Sequence, residues 1–362
     1  MPHPAPADSP LADAEPDPRA VPLPSAIQVE VTAACNLRCR MCLVRYRDPV
    51  DRVHGSLGLD RFRALLDGLH GLRRVTLQGL GEPLLCPDLA AMVREASARG
   101  IDAGFNTNAT LLTRARAREL VDAGVAWIHV SLDGADAATY EAIRDGARFS
   151  KVIANLAGLA EVVGQHGRAG PDARPEVSVV FVAQRSNVAT LPDLVELVAR
   201  IGVLDVHVQN LSHDFGDTAG APLADEEAYV AIRSYTDGEA LWAAPDRRAA
   251  EAAFAEATRR AGRLGVRLRL PTLDPADGAA GAAAGGRGCS WPWESACVTR
   301  TGAVQPCCMV MGEERAVLGR VGEGLVFEEI WNGSSYREFR RALASERPPD
   351  VCAGCSLYRK VF

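Results

Sequence analysis

The sequence predicts an α/β chain: a partial (β/α)6 barrel followed by a small cysteine-rich domain. Three observations predict it. Apolar, β-branched runs alternate with helical stretches over residues 25–274, which implies a parallel sheet with right-handed crossovers. Polar, glycine-rich and cysteine-rich segments follow one strand after another, as the loops at the C-terminal mouth of a barrel do. An open doubly wound sheet would gather such signals at one or two switch points. Residues 289–362 then change composition and hold six of the ten cysteines.

The elements follow in order. Residues 1–24 crowd eight prolines among small and acidic residues, have little to bury, and are read as disordered. Order begins at Ala26-Ile27-Gln28-Val29-Glu30-Val31, which alternates like a strand. Strands are expected near 27–32, 73–78, 101–106, 126–131, 176–183, 203–209 and 265–270. Helices are expected near 58–70, 87–99, 113–123, 148–164, 190–201 and 247–264, with a short one near 136–145. Leu59, Phe62, Leu65, Leu66 and Leu69 share one helical face. Pro87 and Thr113 suit helix starts, and Gly100 and Gly124 suit helix ends. Residues 211–246 read as an insertion after the sixth strand, and 275–288 as a Gly/Ala linker. In the C-terminal domain a hairpin is expected around Thr301-Gly302, flanked by Val298-Arg300 and Ala303-Val304, with a helix near 334–345.

Composition narrows the function. A net charge of −6 argues against a nucleic-acid binder held by phosphate contacts. No stretch approaches the roughly 18 apolar residues of a membrane span, and no basic region with an apolar core marks export. The expected location is cytoplasmic. Ten cysteines in a reducing compartment point to metal or redox chemistry rather than to disulfides.

Three of them lie in Cys35-Asn36-Leu37-Arg38-Cys39-Arg40-Met41-Cys42, directly after the first strand. A structural zinc site needs four closed ligands, and only His54 offers itself as a fourth. Asn36, Arg38 and Arg40 interleave with the thiols, which does not suit a buried core. Three thiolates fit a [4Fe–4S] cluster with one iron open to a small molecule. The Cys-x3-Cys-x2-Cys pattern resembles the signature of the radical S-adenosylmethionine (SAM) superfamily. Gly79-Leu80-Gly81-Glu82-Pro83 looks like that family's second-strand Gly-Gly-Glu motif, with Leu80 in place of its first glycine. Asn106-Thr107-Asn108 and Ser131-Leu132-Asp133-Gly134 match further family positions.

The resemblance implies that SAM chelates the open iron. Gly81 and Glu82 would receive its ammonium, Asn106, Asn108 and Ser131 would bind ribose or carboxylate, Met41 would pack on adenine, and Gln184, Arg185 and Gln209 would complete the pocket. It implies a 5′-deoxyadenosyl radical that removes hydrogen from an unactivated carbon, and a flavodoxin- or ferredoxin-type electron donor.

Cys289-Ser290-Trp291, Pro306-Cys307-Cys308, Ile330-Trp331-Asn332 and Cys352-Ala353-Gly354-Cys355 resemble the SPASM or twitch-type extension of radical SAM enzymes. That likeness implies one auxiliary [4Fe–4S] cluster on Cys289, Cys307, Cys352 and Cys355, making two clusters in all. Half of a zinc ribbon is the bland alternative for Cys352 and Cys355. Cys308, Cys297 and Cys86 are then expected to be packing residues.

A closed auxiliary cluster suits electron transfer. Resemblance to aminocyclitol dehydrogenases of the 2-deoxy-scyllo-inosamine or spectinomycin type implies an oxidoreductase of antibiotic biosynthesis that turns a secondary alcohol of a small molecule into a ketone. A proton acceptor is then required, and Arg185, His213 and Asp214, after strands five and six, are the candidates. The alternative is a peptide (RiPP) maturase. Such enzymes often add an N-terminal peptide-binding domain of roughly 80 residues, whereas residues 1–24 leave no room for one. A non-catalytic metal scaffold is the third reading.

Overall fold

The computed structural model describes residues 21–46, 55–166, 175–211, 213–218, 226–244, 246–273, 289–312, 315–322 and 326–361. The proline-rich residues 1–20, His54, part of the 211–246 insertion and the 275–288 linker lie outside the described residues.

Seven parallel strands stand side by side in chain order: β1 (Ala26–Val29), β2 (Arg74–Leu77), β3 (Asp102–Thr107), β4 (Trp127–Ser131), β5 (Glu176–Val182), β6 (Asp205–Gln209) and β7 (Arg267–Arg269). Helices α1 (Leu59–Asp67), α2 (Leu89–Ala98), α3 (Arg114–Asp122), α4 (Ala137–Ile143), α5 (Phe149–Gln165), α6 (Leu191–Ile201), α7 (Glu226–Glu239) and α8 (Arg248–Leu264) connect them. Sequence explains several of the starts and stops. Thr113 caps α3, its hydroxyl accepting from the Arg116 amide at 3.3 Å. Gly202, at φ +94°, ends α6 in the left-handed conformation. The helix expected from Pro87 begins two residues later, because Asp88 takes the capping position.

Alternation along the strands separates two worlds. One face carries Ile27, Val75, Phe105, Ile128, Phe181 and Val208, all buried in the main core under the helices. The other face carries Gln28, Thr76, Asn106, His129, His207 and Gln209 and fills the barrel lumen with polar groups. Gly104 is required here. A Cβ on it would stand 2.2 Å from the Trp127 ring, which lies under the Arg74 guanidinium at 3.5 Å.

The cysteine-rich segment continues the same sheet. β8 (Ser295–Val298) pairs in parallel with β1, and β9 (Ala303–Gln305) turns back beside it at the expected hairpin. β10 (Gly319–Arg320) closes the edge, so ten strands form one sheet in the order β10-β9-β8-β1-β2-β3-β4-β5-β6-β7. Helices α9 (Trp291–Glu294), α10 (Phe327–Trp331), α11 (Ser334–Leu343) and α12 (Asp350–Ala353) complete the segment. All ten cysteines are free of disulfides, and aromatic packing contributes to the segment. Trp331 is fully buried between Phe327 and Tyr336, and the buried Arg340 guanidinium lies 4.2 Å from its ring. Arg340 also donates to the Pro292 and Trp331 carbonyls at 2.7 and 2.8 Å.

Candidate functional site

The loop Cys35–Cys42 leaves β1 and is stitched to the ends of the next strands. The Glu82 amide donates to the Ala34 carbonyl at 2.8 Å, and the Arg38 and Arg40 amides donate to Asp145 and Ile143, each at 2.9 Å. A Cβ on Gly81 would stand 2.3 Å from the Thr32 carbonyl, so only glycine lets the β2 loop lie against the cysteine loop. Asn108 donates to Asn36 at 3.0 Å, and Asn36 donates to Thr110 at 2.7 Å, which ties the same loop to β3.

Glu82 is buried and accepts from the Thr107 hydroxyl at 2.6 Å, the Asn108 amide at 2.8 Å and the Leu84 amide at 3.2 Å. A carboxylate has about four acceptor positions, so roughly one remains for an ammonium. Burial pushes its pKa up, and these three hydrogen bonds work against that rise.

The three thiols crowd one buried place. Burial pushes Cys35 up to about 11 and Cys42 up to about 12, with Cys39 opposing the ionisation of both and Cys35 that of Cys42. Burial raises Cys39 as well, against the pull of Arg144, whose Nη1 lies 3.9 Å from its Sγ. Such a set ionises only around a strongly positive partner, and iron is one. No group of three or more His, Cys, Asp or Glu among the described residues could hold a single metal ion. Thiolates on a [4Fe–4S] cube sit on separate irons and need not converge on one point.

Sequence reasoning missed Arg144. Its Nε donates to Asp133 at 2.6 Å inside the protein, and Asp133 also accepts from the Val182 amide at 2.8 Å. Arg144 therefore braces Cys39 against the ends of β4 and β5. The Asp133–Arg144 spacing, across a turn and a short helix, was the available signal. Arg144→Met should destabilise the fold by about 3–5 kcal/mol, because a buried carboxylate loses its partner. Denaturant unfolding measures this, and adding Asp133→Leu should restore part of the loss. A double variant as unstable as the sum of the singles would deny the pairing.

Beside this loop opens a cavity of about 220 Å³. Of the expected SAM contacts, Met41, Asn106 and Gln209 line it. Gln209 presents a buried Nε2 with no hydrogen-bond partner among the described residues, as a pocket awaiting a polar ligand would. Ser131 ends β4 half-buried, outside the lining. Gln184 is fully buried and accepts from the Tyr235 hydroxyl, also outside the lining. Cys297 and Cys308 line the cavity, Cys297 while buried, and Cys86 is fully buried in the core. A larger groove of about 510 Å³, between α1 and the β8–β9 turn, holds none of the cysteines.

The three candidate bases need correction. Arg185 is exposed and outside the cavity lining. His213 has both ring nitrogens engaged: Nε2 donates to the Val351 carbonyl at 2.7 Å, and Nδ1 accepts from the Phe215 amide at 2.7 Å. Burial also lowers its pKa, so it is a neutral clasp and not a base. Asp214 pairs with Arg359 at 2.7 Å, and its amide donates to the Gly354 carbonyl at 3.0 Å. A Cβ on Gly354 would stand 1.9 Å from Asp214 Oδ1. His213 and Asp214 thus brace the Cys352–Cys355 turn.

Cys289, Cys307, Cys352 and Cys355 form the second thiol group. Burial leads the rise of each, and Cys307 is further raised by Cys308, Cys355, Cys289 and Cys352. Cys352 is raised in turn by Cys355 and Cys289. The donor set suits a second iron–sulfur centre on the same argument as the first.

Comparison with known proteins agrees with this geometry. Residues 29–165 match the radical SAM superfamily, and residues 289–356 match the SPASM iron–sulfur cluster-binding domain. The chain is 32% identical over 192 residues to the tungsten-containing aldehyde ferredoxin oxidoreductase cofactor-modifying protein of Pyrococcus furiosus, covering 51% of each. It is 28% identical over 201 residues to the PqqA peptide cyclase of Rhodopseudomonas palustris, covering 53% of this chain and 48% of that one. It therefore spans about half the length of these two curated relatives. Among solved structures, Streptococcus suis SuiB bound to precursor peptide SuiA superposes with a TM-score of 0.66 at 17% identity, over 93% of this chain and 71% of that chain. The fold is the radical SAM α/β fold with a C-terminal SPASM domain. Its cofactors are SAM with a [4Fe–4S] cluster, and auxiliary iron–sulfur in the SPASM segment. Among the described residues no helix is long and apolar enough to cross a membrane.

Proposed function

We propose that this radical SAM enzyme oxidises a peptide. The cavity lining carries the reading. Four glutamines, Gln28, Gln78, Gln209 and Gln305, face the space together with Asn106 and Asn210. Primary amides both donate and accept, which is what a peptide backbone needs. Met41, Met309 and Met311 supply a thioether wall suited to an apolar side chain. An aminocyclitol, polar around its whole rim, could pair with the amides but would leave the thioether wall without an apolar partner. The lining has no Lys, Arg or His among the described residues, and its charged side chain is the Glu30 carboxylate. The peptide named for the Rhodopseudomonas relative supports the same choice over the small alcohol.

Cys35, Cys39 and Cys42 would hold the SAM-binding cluster, and Cys289, Cys307, Cys352 and Cys355 the auxiliary one. When bound, these groups supply one-electron chemistry that lets SAM remove a hydrogen atom from a carbon. The chain's own part is positioning. Gly81 and Glu82 fix the mouth, Asn106 and Gln209 offer polar contacts, and Met41 covers the apolar side. A flavodoxin- or ferredoxin-type protein is the electron donor in this reading. The test is the yield of 5′-deoxyadenosine from reconstituted protein, SAM and reductant with peptide or aminocyclitol panels. Stimulation and mass loss of two hydrogens in a peptide are expected. Stimulation by an aminocyclitol alone would return the reading to an alcohol dehydrogenase.

A further inference from the structure

The outer face of the cysteine loop carries charge that SAM binding and hydrogen abstraction leave unused. The Arg38 and Arg40 amides bind the Asp145 and Ile143 carbonyls, two residues apart in both segments, which is the spacing of extended chain. Burial alternates accordingly: Leu37 and Cys39 are buried, whereas Asn36, Arg38 and Arg40 are exposed. Cys39 therefore turns inward to Arg144, and the guanidiniums of Arg38 and Arg40 stand on the solvent side. Consecutive Cα atoms are about 3.8 Å apart, so the loop's own backbone is what separates these arginines from the Cys39 thiol.

Among the described residues neither arginine forms an ion pair. Arg38 Nη2 donates to the Arg45 carbonyl at 3.2 Å, and the Arg40 guanidinium lies 5.7 Å from the centre of the Tyr235 ring on α7. Arg45 returns a hydrogen bond to the Arg38 carbonyl at 2.8 Å and pairs with Asp145 at 2.9 Å. Tyr46, whose hydroxyl donates to the Arg40 carbonyl at 2.7 Å, and Tyr235 are half-buried beside them. Glu239, close to Tyr235, is turned to the Ser186 amide, which donates to it at 3.0 Å. Residues 35–46 thus carry Arg38, Arg40 and Arg45 with no Asp or Glu, in a chain of net charge −6. Arginine and tyrosine are the side chains that most often anchor protein interfaces.

We propose that this arginine–tyrosine patch docks the protein that reduces the first cluster, and that this partner is an electron carrier with carboxylates around its redox centre. SAM and substrate occupy the cavity side of the loop, so an electron can enter from the arginine side while the cavity is filled. One electron leaves the reduced centre of the carrier and enters the cluster held by Cys35, Cys39 and Cys42; no atom crosses. The chain as a whole repels an acidic carrier, so Arg38 and Arg40 orient the partner as well as hold it. The docking face depends on the first cluster alone and not on the choice between peptide and alcohol as substrate.

The probe is a flavodoxin of acidic surface, labelled with nitrogen-15 and titrated by NMR with reconstituted full-length protein. Wild-type affinity should fall about tenfold between about 0.05 and about 0.5 M salt. Arg38→Glu combined with Arg40→Glu should bind about tenfold more weakly at the lower salt and lose most of that salt dependence. The pair Arg38→Gln and Arg40→Gln should fall between, and the pair Arg38→Lys and Arg40→Lys should keep most of the wild-type affinity. In the product assay the glutamate pair should raise the KM for flavodoxin about tenfold, while 5′-deoxyadenosine formation driven by dithionite stays near wild type. Equal flavodoxin affinity in wild type and the glutamate pair overturns the proposal. So does an equal loss with dithionite and with flavodoxin, or a wild-type dimer that the glutamate pair abolishes while flavodoxin binding is unmoved. If wild type forms no 5′-deoxyadenosine even with dithionite, the cluster reading falls instead, and the titration decides the docking face by itself.

Discussion

Replacing Cys35, Cys39 and Cys42 together by alanine lowers the iron of anaerobically reconstituted protein from about eight to about four atoms per chain, and abolishes 5′-deoxyadenosine formation. The loss should be complete because the three thiols act as one unit. Buried and mutually repelling, they have no use as an uncharged set, and the loop that carries them is fixed at both ends. Gly81 presses on Thr32 and Ala34, and Asn36 is held by Asn108. The fold should survive, since those contacts are made by backbone and amide groups rather than by sulfur. Iron quantitation and the product assay check the two halves separately. Eight irons in the triple variant would remove these cysteines from the first site. Two zinc ions in the wild type would overturn the iron–sulfur reading altogether.

Much of this site was legible because its signals are local. The Cys35–Cys42 spacing, the Gly81-Glu82 pair and the Cys352–Cys355 pair are short motifs whose chemistry follows from residue type. The strands were legible for a related reason: in Ile27–Val31 and Val75–Leu77 apolar burial and β-branching agree. What escaped depends on distant partners. His213 and Asp214 follow a strand end, where catalytic groups often sit. Only the folded chain shows Val351 and Gly354 consuming their polar atoms. Arg144 reads as an ordinary helical arginine until Asp133 and Cys39 are brought to it. Cys297 and Cys308 are expected to pack, and both also border the cavity, Cys297 from β8 and Cys308 from the turn after β9.

Cys352→Ala combined with Cys355→Ala should separate hydrogen abstraction from oxidation. The two thiols lie in a turn clasped from outside by His213 on Val351 and Asp214 on Gly354, contacts that use backbone atoms and persist in the variant. The Trp331–Arg340 core is also independent of sulfur, so the segment should remain folded, which circular dichroism and unchanged SAM affinity verify. Such a protein keeps the first thiol set and should still form 5′-deoxyadenosine with substrate present. Oxidised product should fall at least tenfold, since a carbon radical needs a nearby electron acceptor, and deuterium from the target carbon should still reach 5′-deoxyadenosine. A folded double variant with full product yield would assign the second thiol group to bracing alone and require a redox-neutral reaction at the cavity.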